Sequence, residues 1–476
     1  MSNKKYIYKK IIFQLILLYV IIIMDGEFME VRELTNEEFE NFTKDFKISS
    51  LYQSVEYANT MKLQKKKTIL LGLDNEGEIK AASLVLIEKI NGFKYATAPR
   101  GFIADYEDTE TLEKFTKLIS KYLSKKHVMA LKINPLIIKS KYNPKTKDIT
   151  KEENYDELYN KLIKLGYYHL GYNNYFEGIK PRFDSIISIN KSPSELFKSV
   201  AKHMKTKIKK ANMQGIKIYK GSEEDLEYLY NQAKEKYPRS LDFYQDIFKS
   251  FSETNNADLY YAKIDTKAYV QSVQLMYQRQ VEKCNIANSL VFKNREKENN
   301  KAINKKLYEE NILNLIKNEL VYATNLLREH PEGIVLASAF IIKHNKCANL
   351  FMDGYNSQYK NFNAKHLLIW KLIEKYSLEK LKKFDMGGIS NFELNKNNNK
   401  FASLNEFRLN FGATGYEYAG DFEIKANKFF YFLYQTFSPI TKKFSKKKKE
   451  NNNDDKEDLK KKSIFQLLKE KKESNK

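Results

Sequence analysis

Apolar positions follow one pattern twice along this chain. In "IKAASLVLIEKINGFKYATAPRG", from Ile79, the pattern predicts two β-strands joined at Asn91-Gly92, a turn dipeptide, and ending at Pro99. In "IVLASAFIIKHNKCANLFMDGY", from Ile334, it predicts two strands turning at "KHNK". An amphipathic helix follows each pair. Leu112, Phe115, Leu118, Ile119 and Tyr122 mark the first, and Ala364, Leu367, Leu368, Leu372 and Tyr376 the second, near i, i+3, i+4, i+7 spacing. Each copy then returns to a short apolar strand, "VMALKINP" and "KKFDMGG". Placing Ser83 over Ser338 aligns Ala82 with Ala337, Leu86 with Ile341 and Ile87 with Ile342. From Ser83 to Ile133 is 50 residues, and from Ser338 to Met386 is 48. Equal order at nearly equal spacing predicts one β-β-α-β unit built twice.

A long helical pattern interrupts the second copy. Tyr277, Val281, Cys284, Asn288 and Val291 alternate four-three, and Leu313, Ile316, Leu320, Ala323 and Leu327 alternate three-four, with "KNREKENNK" between them. Charged residues such as Glu282, Lys283, Lys305 and Lys317 take the outer positions. This predicts an antiparallel coiled-coil arm over 277–330, turning near 295–301. The expected organisation is therefore α/β: a first unit over 29–195, a second over 196–276 and 331–437, and the arm between the two parts of the second.

A chain of 476 residues needs more than one core, and 42% hydrophobic residues can supply them. The formal net charge of +23 calls for a polyanionic or anionic-surface partner. Two cysteines and six scattered histidines exclude a disulfide framework and show no zinc-ligand spacing. No "GxxxxGK[ST]" occurs, so no P-loop nucleotide site is expected. At the N-terminus "IIFQLILLYVIII", residues 11–23, falls short of the ~20 needed to cross a bilayer. Residues 1–28 are read as a mis-called start ahead of Met29, or else as a short hydrophobic anchor. Residues 441–476 are expected to be a disordered basic tail, with 14 Lys against 7 Asp or Glu from Lys442 onward.

Antiparallel strands, a helix and a returning strand form the core of the GNAT acyltransferase fold, here in tandem. GNAT acetyltransferases bind coenzyme A through an Arg/Gln-x-x-Gly-x-Gly/Ala turn at the central helix. The corresponding places hold "PRGFIADYEDTE" and "DGYNSQYKNFNA", and neither matches. Tandem GNAT-like units, an inserted arm, no coenzyme A turn and strong positive charge resemble the FemABX family of peptidoglycan-bridge aminoacyltransferases, over about residues 29–437. The resemblance is carried by "LYQSVEYANTMK" (51–62), "YATAPRG" (95–101), "LKINP" (131–135), "IKPRFDSIISI" (179–189), "KTKIKKANMQGIKI" (205–218), "FDMGGIS" (384–390) and "EFRLNFGATGYEYAGDFEI" (406–424). It implies transfer of an amino acid from aminoacyl-tRNA, a co-substrate in place of any cofactor, to the stem-peptide amine of a lipid-linked peptidoglycan precursor. It also implies a cytoplasmic enzyme, peripheral at the anionic inner face of the membrane, with a related aminoacyltransferase as a possible partner. An aminoacyl ester is already activated, so placement, oxyanion stabilisation and exclusion of water suffice. Two alternatives stay open: an N-acyltransferase of the same fold with another donor, and a non-catalytic member bound to RNA or membrane.

The resemblance assigns residues. Phe407-Arg408 matches the family's Phe-Lys pair beside the acyl carbonyl, with Arg in place of Lys, which keeps the charge but forks differently. Lys62 matches a lysine that meets the precursor's diphosphate, or is simply solvated. Arg239 and Tyr244 match an arginine and an aromatic hydroxyl at the same precursor, unless Phe243 is the aromatic. Arg100 either faces the cleft or forms a structural salt bridge. Gly387 and Gly388 allow a tight turn or close substrate approach. Asp385 either accepts a proton from the attacking ammonium or bonds to backbone. Lys205, Lys207, Lys209 and Lys210 either track RNA phosphates or form a solvated face.

Overall fold

A computed structural model describes residues 29–437 apart from 47, 236–238, 294–299, 395–396 and 398. The readings of 1–28 and 441–476, and of most of the arm's turn, lie outside the described residues. Along the chain, β1 (Met29–Glu33), the helices Asn36–Asp45 and Val55–Leu63, β2 (Lys67–Asn75), β3 (Glu78–Ile90), β4 (Phe93–Ala98), the helix Thr109–Lys125 and β5 (Val128–Ile133) make the first unit. Short strands follow: β6 (Ile138–Tyr142), β7 (Ile149–Lys151), β8 (Tyr168–His169) and β9 (Phe183–Ser188). The order then returns with β10 (Ile216–Gly221), the helices Leu226–Ala233 and Leu241–Ser252, β11 (Ala257–Ile264), β12 (Ile334–His344), β13 (Cys347–Tyr355), the helix Ala364–Leu378 and β14 (Lys383–Ile389). After the helix Ala402–Leu409, β15 (Thr414–Tyr418) and β16 (Phe422–Lys425) complete the sheets.

One sheet runs β1-β2-β3-β4-β5-β16-β8 and the other β10-β11-β12-β13-β14-β9-β15-β6-β7. In each, four antiparallel strands are followed by a fifth parallel to the fourth, the only geometry a helical crossover needs. The repeat thus begins at Met29 and Ile216, well before the two serines that reveal it. Both serines are buried at matching places. The hairpin turns also match: Asn91 and Gly92 have φ of 51° and 86°, and Asn345 and Lys346 have 47° and 60°, the left-handed pair that suits strand twist. This is the expected α/β class, two tandem GNAT-like units with a helical arm inserted in the second.

The units are not consecutive blocks. β6, β7 and β9 lie within residues 29–195 but pair in the second sheet, whereas β16 lies near the C-terminal end but pairs with β5 in the first. A boundary at 195 therefore cuts across two sheets that lend each other strands, because the open edges at β5 and β14 need antiparallel partners.

Between β2 and β3 stand only Glu76 and Gly77. The equivalent place between β11 and β12 holds the helices Thr266–Lys293 and Asn300–Glu329. They run antiparallel: Thr266 Oγ1 donates to the His330 carbonyl at 2.7 Å, and Gln280 Nε2 to Glu309 Oε2 at 2.7 Å. The arm starts at Thr266 rather than 277, where Asp265 accepts the Ala268 N–H at 2.9 Å and starts the helix. Its seam is also corrected by one position. Gln280 and Ala287 are buried, while Val281 is only part-buried and Asn288 is exposed. The small Ala287 permits close approach, and Glu309 satisfies the Gln280 amide.

One apolar core sits under each sheet, and a third joins them. Phe39, Tyr57 and Leu84 of the first unit pack with Leu229, Tyr244, Phe251 and Phe340 of the second. The Phe340 ring lies 5.8 Å from Phe248 and 5.7 Å from Phe351. Phe340→Ala is expected to cost about 3–5 kcal/mol, read by urea denaturation. Because the core is shared, the loss should move one cooperative transition; a second transition left unmoved by the substitution would contradict the joint core.

Candidate functional site

Four charged side chains meet where the two units and the exchanged strands converge. Arg100 follows β4, Asp184 lies on β9, Asp385 on β14 and Arg408 on the helix Ala402–Leu409. All four line one groove of about 1520 Å³. Small-molecule pockets usually hold ~300–1,000 Å³, so this one has room for the reacting ends of two substrates.

Local backbone geometry aims each group. Strands β9 and β14 are antiparallel, with Asp184 opposite Gly388 and Ile186 opposite Asp385, because a bulge between Asp385 and Gly387 inserts one residue. Without it Asp385 would face away from Asp184. With it the extra residue, Met386, is buried and Asp385 shares the groove face with Asp184 and Ile186. Gly387 has φ 87°, and a Cβ there would come within 3.2 Å of Arg408 Nη1. A Cβ on Gly388 would meet Pro181 at 2.4 Å. Both glycines are therefore required by close packing around the charged groups. The helix carrying Arg408 is braced by Asn405, which accepts the Ser390 N–H and donates to the Ser390 carbonyl, both at 3.0 Å.

Arg100 is 5% exposed and donates from Nη2 to Asp184 Oδ2 at 2.7 Å and to the Pro181 carbonyl at 3.0 Å. Its guanidinium carbon stands 4.7 Å from the Tyr418 ring centre. Both readings of Arg100 hold together: it faces the groove and makes a buried ion pair. Arg408 Nη1 donates to the Gly388 carbonyl. Arg100 Nη1 and Arg408 Nε keep no acceptor among the described residues. Gly387 N–H donates to Asp385 Oδ1 at 2.7 Å. Burial first, and then the neighbouring Asp184 charge, push the Asp385 carboxyl up to about 7, against the pull of the Gly387 N–H, Arg100 and Arg408. Burial raises Asp184 as well, but its ion pair with Arg100 makes it the member of the pair that keeps its charge.

Phe407 lines the groove beside His366, whose ring lies 5.2 Å away, and Lys365, whose ammonium is 4.4 Å from the Phe407 ring centre. Burial, with Lys207, Lys365 and His203 nearby, holds His366 down to about 4, so its imidazole is neutral. Eight lysines line the groove, among them Lys207, Lys365, Lys383 and Lys400, against the two carboxylates Asp184 and Asp385.

Three assigned residues stand elsewhere. Tyr244 is fully buried in the shared core, on the Tyr244, Ile247, Phe251 stripe of its helix, and presents no hydroxyl to the groove. This corrects its reading as a substrate contact. Lys62 is exposed in the last turn of Val55–Leu63, apart from the groove lining. Arg239 is exposed, its guanidinium 4.4 Å from the Phe243 ring centre.

Lys180 stands beside Tyr52, which lines the groove. Its ammonium lies 3.3 Å from the Tyr52 ring centre and 5.5 Å from that of Tyr57, and it makes no ion pair among the described residues. Burial and the charges of Arg239 and Arg100 hold it well below the ordinary lysine value. Asp184 and Lys180 both sit in "IKPRFDS", where alternation alone marks polar positions without saying which face is a groove.

The family model described as "FemAB family" matches residues 34–439. Aminoacyltransferase FemA of Staphylococcus epidermidis is 26% identical over 426 residues, 87% of this chain and 100% of that protein. The lipid II:glycine glycyltransferase of Staphylococcus haemolyticus is 26% identical over 424 residues, 86% of this chain and 96% of that one. Among solved structures, that of FemX superposes with a TM-score of 0.66 at 22% identity, covering 86% of this chain and 99% of that chain, a likeness of fold.

The raised Asp385 carboxyl carries a stability prediction. Folded Asp385 holds its proton up to about pH 7, while the unfolded residue, with the ordinary value of 3.8, has already released it. Stability therefore falls as pH rises between these values and levels off above them. Asp385→Asn, which can still accept the Gly387 N–H, is expected to raise the melting temperature, and by more at high pH than at low. Thermal melts across the acid-to-neutral range check it; an equal shift at every pH would contradict it.

Proposed function

The chain belongs to the FemAB family, and from that premise we propose that it transfers an amino acid from aminoacyl-tRNA to the stem-peptide amine of a lipid-linked peptidoglycan precursor. The observation that carries this reading is the groove itself, roomy enough for two substrates and floored by two arginines and two aspartates, in a chain whose relatives are named aminoacyltransferase and lipid II:glycine glycyltransferase.

In this reading the ester of the donor enters beside Phe407 and Arg408. The guanidinium is held through Nη1 by the Gly388 carbonyl and lines the groove, so that its Nη2 serves the oxygen that becomes negative when the carbonyl is attacked. Arg100 performs the same service from the opposite unit or positions the precursor. The lysine-lined rim attracts the phosphates of tRNA and of the precursor, so binding weakens as salt rises. Lys180 over Tyr52 and Tyr57, and the exposed guanidinium of Arg239 over Phe243, offer the precursor a basic and aromatic wall. No helix among the described residues is long and apolar enough to cross a membrane. The positive charge supports peripheral attachment to the anionic inner face.

The test is transfer of a radiolabelled amino acid from charged tRNA to a lipid-linked precursor, run with each charged tRNA in turn. The reading expects one or a few to serve as donors; failure of all would overturn it. Arg408→Ala is expected to lower kcat about 10²–10³-fold, with Arg408→Lys recovering part of the loss. Full transfer by Arg408→Ala would remove Arg408 from the chemistry while leaving the overall reaction in place.

A further inference from the structure

An amine reaches a neutral-pH active site mostly as ammonium, which has no lone pair and cannot attack an ester. Something must take that proton, and the roles above leave one carboxylate unused. Asp385 is anchored through Oδ1 by the Gly387 N–H, and no donor among the described residues reaches its Oδ2. Asp184, across the same strand pair, is already engaged by Arg100 and is 7% exposed. The two carboxyls divide the work: one is a fixed charge within an ion pair, the other stands in the groove with an oxygen to spare. The bulge at Met386 exists at the one place where it turns Asp385 toward that groove.

We propose that Asp385 is the proton acceptor for the incoming amine. The assignment rests on the transfer reading. The ammonium gives one proton to Asp385 Oδ2, and its freed lone pair forms the new C–N bond at the acyl carbon. As the bond from that carbon to the ribose oxygen breaks, the second proton leaving nitrogen goes to the ribose oxygen, which departs as a hydroxyl. Asp385 then returns its proton to water, and no oxidant, reductant or further reactant is needed.

The groups facing Asp385 suit it to this cycle. Asp184 on β9 disfavours its charged form; Arg100 after β4 and Arg408 on the last helix favour it. Cys347 on β13, Tyr52 and Tyr418 have their proton affinities raised by burial and stay neutral. The balance leaves Asp385 titrating near neutrality, where a base is both sufficiently ionised and sufficiently strong. Below that range it is protonated and cannot accept, so the rate falls with pH.

The test compares wild type with Asp385→Asn, which keeps the backbone contact and loses the base, and with Asp385→Glu. Transfer is followed from about pH 5.5 to 8.5, with thermal melts to show that each variant is folded. Wild type should lose activity toward acid with a break near pH 7. Asp385→Asn should lower kcat about 10²–10⁴-fold with little change in KM and no such break, and Asp385→Glu should restore part of the rate and a break. A purely structural role would leave the break in place. An Asp385→Asn protein with wild-type kcat and the same profile overturns this assignment alone, whereas a wild type inactive with every charged tRNA overturns the transfer reading and this assignment with it.

Discussion

Two arginines and two aspartates withdrawn from water at the floor of one groove constrain everything around them. Burying a charge costs several kcal/mol unless it is paired, and removing one partner of a buried pair costs about 3–5 kcal/mol. Here the partners come from both halves of the molecule: Arg100, just after a strand of the first unit, pairs with Asp184 on the strand that passes from the first unit into the second sheet, while Asp385 and Arg408 of the second are held by the backbone of Gly387 and Gly388. The groove is consequently a product of the strand exchange. Neither unit holds a complete charge set, and the apolar core through Tyr57, Tyr244 and Phe340 keeps the two at the required separation.

The same cluster shows how structure is set against function. Asp385 beside Asp184 is a repulsive arrangement that a neutral residue would relieve. It persists because the bulge and the glycines leave no other orientation: Gly387 adopts a positive φ with Arg408 packed against it, and Gly388 admits Pro181. Strain of this kind gathers where chemistry requires it. The fold lends the positioning; the aminoacyl ester, in the proposed reaction, brings its own activation.

Much of the fold was legible in the sequence because independent signals agreed. Strand alternation, turn residues at Asn91-Gly92 and Asn345-Lys346, and helical stripes at Leu112 and Leu367 each pointed to the same unit. What was hidden depended on distance along the chain. Strands as short as Tyr168–His169 carry no period, and no local pattern says that Phe422–Lys425 returns to the first sheet. In the arm, the seam through Cys284 was readable, but choosing Val281 over Gln280 followed hydrophobicity where Ala287 and a satisfied amide fit the helix spacing. At the site, Arg100, Gly387, Gly388, Phe407 and Arg408, far apart in the sequence, line one groove. Tyr244 was misplaced although its i, i+3, i+7 relation to Ile247 and Phe251 already marked it as core. Lys180 and Asp184 escaped notice because the identity of a strand's groove face is fixed only by the opposite sheet.

The account stands on one spatial claim: the acceptor amine is delivered to the floor of this groove, between Asp385 and the guanidinium of Arg408. A crystal structure of the protein with a precursor bearing its stem peptide would test it most directly. The account predicts the reacting nitrogen within hydrogen-bonding reach of Asp385 Oδ2, at about 2.6–3.2 Å. A stem peptide bound with its amine outside the groove, or with a protein side chain filling the space between Asp385 and Arg408, would contradict it.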